Sequence, residues 1–217
     1  MRRRHFIAGL YIPLLAGPSW AQSAKAATTK ASAPRILVVG DSLSAEYGLR
    51  RGTGWVALLE QRLSEQKIAA EVRNASISGD TTSGGRARLA PLLKNYQPTH
   101  VVLELGGNDA LRGLPLKNTA DNLAAMTQAA QQAGAKVLIV GMQMPPNYGA
   151  DYGRQFSTLF GDVAREHKAG LVPFLLKGIA DGPNAAALFQ TDRIHPREEA
   201  QAAMLDNVWP ELRKLLR

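Results

Sequence analysis

The chain has 217 residues, 45% of them hydrophobic and 20% charged, with 20 glycines, 12 prolines and no cysteine. That suits one soluble domain large enough to bury a core, and it excludes a disulfide framework, a thiol nucleophile and a cysteine-ligated zinc. The net charge of +8 overstates the basicity of the folded part, because Arg2, Arg3, Arg4, Lys25 and Lys30 precede Arg35 with no acid among them, leaving +3 for the rest. The later charges are mixed in sign, with no basic stripe interleaved with aromatics, so a nucleic-acid partner is not expected.

Met1 to His5 form a positive segment, Phe6 to Ala16 a short apolar stretch broken by Pro13, and Ser19-Trp20-Ala21 supply small residues at a cleavage position. This pattern predicts an export signal over residues 1–21, hence a periplasmic or secreted protein. The alternative is an anchor or a first core helix, but the stretch is short for a bilayer span, so no stable membrane insertion is expected once it is removed. Arg3-Arg4-His5-Phe6-Ile7 resembles a twin-arginine signal, with Arg2 where a polar residue is usual, so the route stays open. Residues 22–34, rich in Ala, Ser, Thr and Lys, read as a flexible lead-in to one domain over 35–217.

From Arg35 the pattern alternates. Strand-like runs at 35–39, 69–76, 101–105, 136–141 and 171–174 are separated by helix-spaced segments at 54–65, 86–96, 119–132 and 154–167. A last helical segment covers 197–216, where Pro210 predicts a kink or a division, and Pro91 disfavours the first turn of the 86–96 helix. Asn118 or Thr119 is the expected cap of the helix that ends at Gly134. Such alternation with short connections predicts a parallel five-stranded sheet covered by helices on both sides, an α/β class. Strand order is not visible from periodicity.

Four loops carry polar or small residues that no core requires, and three follow strand ends, where ligands bind in α/β proteins. They hold Gly40-Asp41-Ser42-Leu43-Ser44, Asn74 to Gly85, Gly106-Gly107-Asn108-Asp109, and Asp192-Arg193-Ile194-His195-Pro196. A serine is inert without a base and an oxyanion site. His195 is the candidate base, since Asp192 three residues earlier can reach Nδ1 on a tight turn and leave Nε2 for a hydroxyl. Read alone, Asp192 could equally cap the last helix. His167, at a helix end, reads as a dipole partner. Ser42, His195 and Asp192, with Gly79 N–H, Asn108 and Ser42 N–H as oxyanion donors, complete the set for acyl transfer. Asp41, Asp80 and Asp109 could form a dyad, whereas no histidine or cysteine spacing supports a metal site, and no metal or cofactor is expected.

Gly40-Asp-Ser-Leu-Ser44, the glycine of Ser78-Gly79-Asp80, Gly107-Asn108-Asp109 and Asp192-x-x-His195-Pro196 match in order the four blocks of the GDSL/SGNH hydrolases. Asn74 to Thr81, Glu104 to Asp109, Leu111 to Gly113 and Pro145 to Gly149 are similar to the bacterial thioesterase/lysophospholipase/arylesterase branch. The resemblance runs from about Arg35 to the C-terminus. It implies a flavodoxin-like three-layer α/β/α sandwich, the triad Ser42, Asp192 and His195, and an oxyanion hole of Ser42, Gly79 and Asn108. The common α/β-hydrolases are a poorer match, because the serine follows the first strand and lacks the second glycine of their nucleophile motif.

The expected substrates are small acyl esters, thioesters or lysophospholipids, handled by a monomer. Leu111, Pro145, Pro146 and Tyr148 would wall the acyl chain, unless the prolines and Tyr148 only stiffen a loop. An exported enzyme would not meet a coenzyme A pool, which favours carboxylic esters and lysophospholipids. A carbohydrate O-acetylesterase with the same triad and a non-catalytic binding module are the alternatives.

Overall fold

The computed structural model describes residues 33–217, so the expected signal over 1–21 lies outside the described residues. Five strands, β1 (Arg35–Gly40), β2 (Glu71–Asn74), β3 (His100–Glu104), β4 (Lys136–Val140) and β5 (Gly170–Val172), form one sheet in the order β2-β1-β3-β4-β5. Every pairing is parallel. The chain steps from β1 outward to β2 and then returns to β3 on the other side of β1. That reversal opens a crevice beyond the carboxyl ends of β1 and β3, which is where doubly wound sheets take ligands.

In β1, β3 and β4 the apolar runs are nearly continuous, and because successive side chains point to opposite faces, these three strands are buried on both sides. Ile36, Val38, Val102, Leu138 and Val140 point into one core, under α1 (Trp55–Glu65) and α7 (Gln201–Leu215). Leu37, Val39, Val101, Leu103, Val137 and Ile139 point into the other, under α2 (Thr82–Tyr96), α4 (Leu116–Gln132) and α5 (Ala150–Glu166). Each such side chain contributes about 1.5–3 kcal/mol when fully buried. The result is the three-layer α/β/α sandwich, and both cores lie within 36–212.

The structure corrects several boundaries. Helix α2 begins at Thr82, four residues before the expected start, because Thr81 caps it by accepting the Gly84 N–H at 3.2 Å. Pro91 therefore sits deep in the helix rather than in its first turn. Helix α4 starts at Leu116 with Pro115 at its cap position, not Asn118 or Thr119, and the fixed φ of proline suits that place. Helix α7 runs unbroken through Pro210. Both prolines are exposed, as are Ala87 and Asp206 one turn earlier, so each carbonyl freed by a missing N–H lies on the water side. Two short helices, α3 (Gly107–Leu111) and α6 (Ala185–Leu188), were not expected.

Candidate active site

Strand β1 ends at Gly40, and the chain turns at once: Ser44 N–H and Ala45 N–H both donate to Asp41 O, at 3.2 and 2.9 Å. Ser42 rides on this turn at the β1 end of the crevice. Glycine is required at 40 because an added Cβ would lie 2.8 Å from both Glu104 Oε2 and Ser44 Oγ.

The fourth loop approaches from the other end of the chain. Gln190 N–H donates to His195 O at 2.8 Å, Arg197 N–H donates to Leu188 O at 2.7 Å, and Gln190 Nε2 donates to Tyr47 O at 2.9 Å. These bonds close the loop on itself and pin it to the segment that follows Ser42. Asp192 does not cap a helix. Its Oδ1 accepts the N–H groups of Ile194 and His195 at 2.9 and 3.1 Å, and its Oδ2 lies 2.7 Å from His195 Nδ1. Partial burial works to raise this carboxyl, but those two backbone donors and the imidazole outweigh it and hold the group at about 2. An ionised carboxylate only accepts, so Nδ1 carries the proton and Nε2 is left as an acceptor. Nε2 stands 2.8 Å from Ser42 Oγ. The Tyr47 ring leans on the imidazole at 4.3 Å between centroids.

The other two loops supply donors. Gly79 follows Ser78 in a turn closed by Asp80 N–H on Ile77 O at 3.0 Å, and its φ of +78° is the left-handed value that a type II turn needs at this place. Arg112 Nη2 holds Gly79 O at 2.8 Å. Asn108 is the second residue of α3, just past the carboxyl end of β3, and the buried Asp109 beside it accepts Thr82 N–H at 2.8 Å and the Thr82 Oγ1–H. These contacts lock the Gly79 loop to the Asn108 helix. Among the described residues, neither Ser42 N–H nor Gly79 N–H is spent on an internal acceptor.

Ser42, His195, Asp192, Gly79 and Asn108 thus come together at one edge of the sheet. Leu111 ends α3 beyond β3, and Tyr148 ends a 3₁₀ turn beyond β4; both are exposed, as is Pro145. Pro146 opens that same turn. Of the three aspartates considered as a dyad, each has a different partner: Asp41 faces Asn108, Asp80 pairs with Arg88 at 2.7 Å, and Asp109 binds Thr82. His167 ends α5 as its C-cap residue.

Sequence reasoning missed Tyr47, Glu104 and Arg112. Tyr47 could have been noticed as an aromatic five residues past the serine. Arg112 stood inside a quoted block without a role, and Glu104 read only as a strand end.

A serine within reach of a carboxylate-oriented imidazole, on a doubly wound parallel sheet, is the arrangement by which serine hydrolases cleave acyl bonds. A profile of the GDSL-like Lipase/Acylhydrolase family matches residues 38–203. The chain is 50% identical over 189 residues to Esterase TesA of Pseudomonas aeruginosa, covering 87% of this chain and 92% of that protein. It is 38% identical over 186 residues to Thioesterase 1/protease 1/lysophospholipase L1 of Escherichia coli, covering 86% of each. The crystal structure of the psychrotrophic esterase EstA from a Pseudoalteromonas species, inhibited by monoethylphosphonate, aligns with a TM-score of 0.78 at 39% identity, over 84% of this chain and 98% of that one. The chain belongs to the GDSL-like lipase/acylhydrolase family. It is a serine hydrolase of ester bonds, and these relatives favour neither the carbohydrate O-acetylesterase nor the binding module.

Proposed function

We propose that Ser42 is the nucleophile, His195 the general base and then acid, and Asp192 the orienting carboxylate, with Ser42 N–H, Gly79 N–H and Asn108 Nδ2 as oxyanion donors. The observation that carries this reading is the imidazole bridging Ser42 Oγ at 2.8 Å and Asp192 Oδ2 at 2.7 Å. His195 Nε2 takes the hydroxyl proton as Oγ bonds to the acyl carbon, and the carbonyl electron pair moves onto oxygen among the three donors. Collapse of that intermediate breaks the bond to the leaving alcohol or thiol, which takes the proton from Nε2. A water molecule, deprotonated by the same nitrogen, then releases the acid from Ser42.

The substrates under this reading are acyl esters and thioesters, including lysophospholipids, because one relative is named an esterase and another a thioesterase and lysophospholipase. Leu111, Pro145, Pro146 and Tyr148 would line the acyl chain. The chemistry calls for no metal or cofactor. Residues 1–21 would direct export, 22–34 would be the lead-in, and the 35–217 domain would act as a monomer in the periplasm or outside the cell. The test is hydrolysis of p-nitrophenyl esters from acetate to palmitate, with Ser42→Ala as control. Ser42-dependent turnover that peaks at medium or long chains supports the reading. An acetate-only profile favours a carbohydrate esterase, and turnover that survives Ser42→Ala refutes the assigned nucleophile.

A further inference from the structure

The acyl-transfer reading leaves two buried carboxyl groups beside Ser42 without a task. Asp41 is 2% exposed and Glu104 4%. Neither has a Lys or Arg within ion-pair distance among the described residues. A buried carboxyl group without a cation is costly, so the bonds it makes point to its use.

Those bonds are reciprocal. Asp41, in the loop after β1, receives an N–H from Asn108 Nδ2, in the short helix α3 that follows β3, at 3.0 Å on Oδ2. Glu104, at the end of β3, bonds Ser44 Oγ, in the loop after β1, at 2.7 Å on Oε2. Trp55 Nε1–H donates to that same Ser44 Oγ at 3.2 Å, leaving the hydroxyl proton for Glu104. Meanwhile Asp41 Oδ1 accepts Leu43 N–H at 3.0 Å, inside the turn that carries Ser42. One carboxylate therefore grips the nucleophile turn with one oxygen and the oxyanion amide with the other.

We propose that Asp41 is a positioning residue for the oxyanion site, fixing the Asn108 side chain so that an N–H rather than its carbonyl oxygen faces the substrate. The inference rests on the assignment of Asn108 as an oxyanion donor. The two ends of a primary amide have nearly the same shape, and only hydrogen bonds tell them apart. A carboxylate accepts and never donates, so it selects the NH₂ end. One N–H goes to Oδ2 and the second is left for the oxyanion.

An amide at position 41 would reverse this selection. Its oxygen would stay with Leu43 N–H, which places its own NH₂ against that of Asn108. Two donors in contact are relieved when Asn108 turns over, and the turned amide presents an acceptor to the developing negative charge. The groups facing Asp41 are Glu104 from β3, His195 from the triad loop, and Asp80 from the loop after β2, itself held by Arg88 of α2. Burial pushes the Asp41 carboxyl up to about 6, so the selecting anion is present at pH 8.

The experiment is a cycle of Asp41→Asn, Asn108→Ala and the double variant, with kcat, KM and thermal melting measured at pH 8 on p-nitrophenyl butyrate. Asn108→Ala is expected to lose about 10²–10³ in kcat, as removal of an oxyanion donor does. Asp41→Asn is expected to lose roughly 10- to 100-fold in kcat with KM within about twofold, since the defect is confined to the transition state. In the Asn108→Ala background the same change should alter kcat by less than about threefold, because its effect passes through that amide. The melting temperature of Asp41→Asn should not fall, because a buried charge without a cation has been removed. Full kcat in Asp41→Asn, an equal loss in both backgrounds, or a kcat loss accompanied by a collapsed melt would each overturn the proposal. Asn108→Ala with full turnover would instead refute the oxyanion assignment beneath it.

Discussion

Two aspartates flank Ser42, and their surroundings push them in opposite directions. Asp192 lies on an open loop with its side chain 35% exposed, takes two backbone N–H bonds and the imidazole, and is held at about 2. Asp41 is sealed beneath the nucleophile, takes one backbone and one amide donor, shares its site with Glu104, and is pushed up to about 6. Glu104, fully enclosed and next to Asp41, is driven well above the ordinary carboxylate range. The comparison shows that donor count and access to water, not residue type, decide what a carboxylate can do. The exposed acid is a reliable anion that can orient a base. The buried pair, enclosed and without a cation, suits fixing a neighbour in place through its hydrogen bonds.

The largest expected effect comes from disabling the exposed acid. Asp192→Asn should lose about 10⁴ in kcat, as when the orienting carboxylate of a serine triad is neutralised, because Nδ1 can then lose its proton to the wrong tautomer. A loss under tenfold, measured in the same ester assay, would break the distinction between the two aspartates. Next comes the Asn108→Ala loss of about 10²–10³, and below it the smaller loss from Asp41→Asn, which acts through that amide.

Stability should separate the two acids by sign. Asp192, lowered from 3.8 to about 2, supports the fold above about pH 4, and that support is lost as the pH falls toward 2. Asp41, raised from 3.8 to about 6, favours the fold below about pH 4, and that contribution is lost as the pH rises through 6. Asp41→Asn should therefore melt higher than the parent at pH 8, with the gap closing by pH 4. Asp192→Asn should show no such gain at pH 8. Melting curves at pH 4, 6 and 8 check both, and a gap for Asp41→Asn that widens on acidification contradicts the assigned shift.

The smallest effect concerns the partner carboxyl. Glu104→Gln keeps an acceptor for Ser44 Oγ and removes a titrating group, so kcat should change by less than about tenfold. A larger loss would show that Glu104 carries charge in the working enzyme.

Much of this was legible in the sequence, for reasons that differ by element. The runs at 35–39, 101–105 and 136–141 announce buried parallel strands because both faces of each are apolar, and Gly-Asp-Ser, Gly-Asn-Asp and Asp-x-x-His-Pro stand out because no core needs them. Helix starts were less legible: α5 begins at Ala150 rather than Arg154 and α2 at Thr82 rather than Arg86, since first turns carry little apolar periodicity. Pro210 misled because chemistry alone does not say whether a freed carbonyl faces water. The Asp41–Asn108 and Glu104–Ser44 bonds were invisible because they join residues 67 and 60 positions apart. They depend on β1 and β3 being neighbours, and periodicity does not give strand order.

Activation of Ser42 as the nucleophile is read out by covalent labelling. The protein is treated with a fluorophosphonate ester, digested, and its peptides are mapped by mass spectrometry alongside residual activity. One phosphonyl group per chain is expected, on Ser42, with activity lost in proportion and labelling strongly slowed in Asp192→Asn. Loss of activity with the label on another residue, or full activity with Ser42 labelled, would contradict this role.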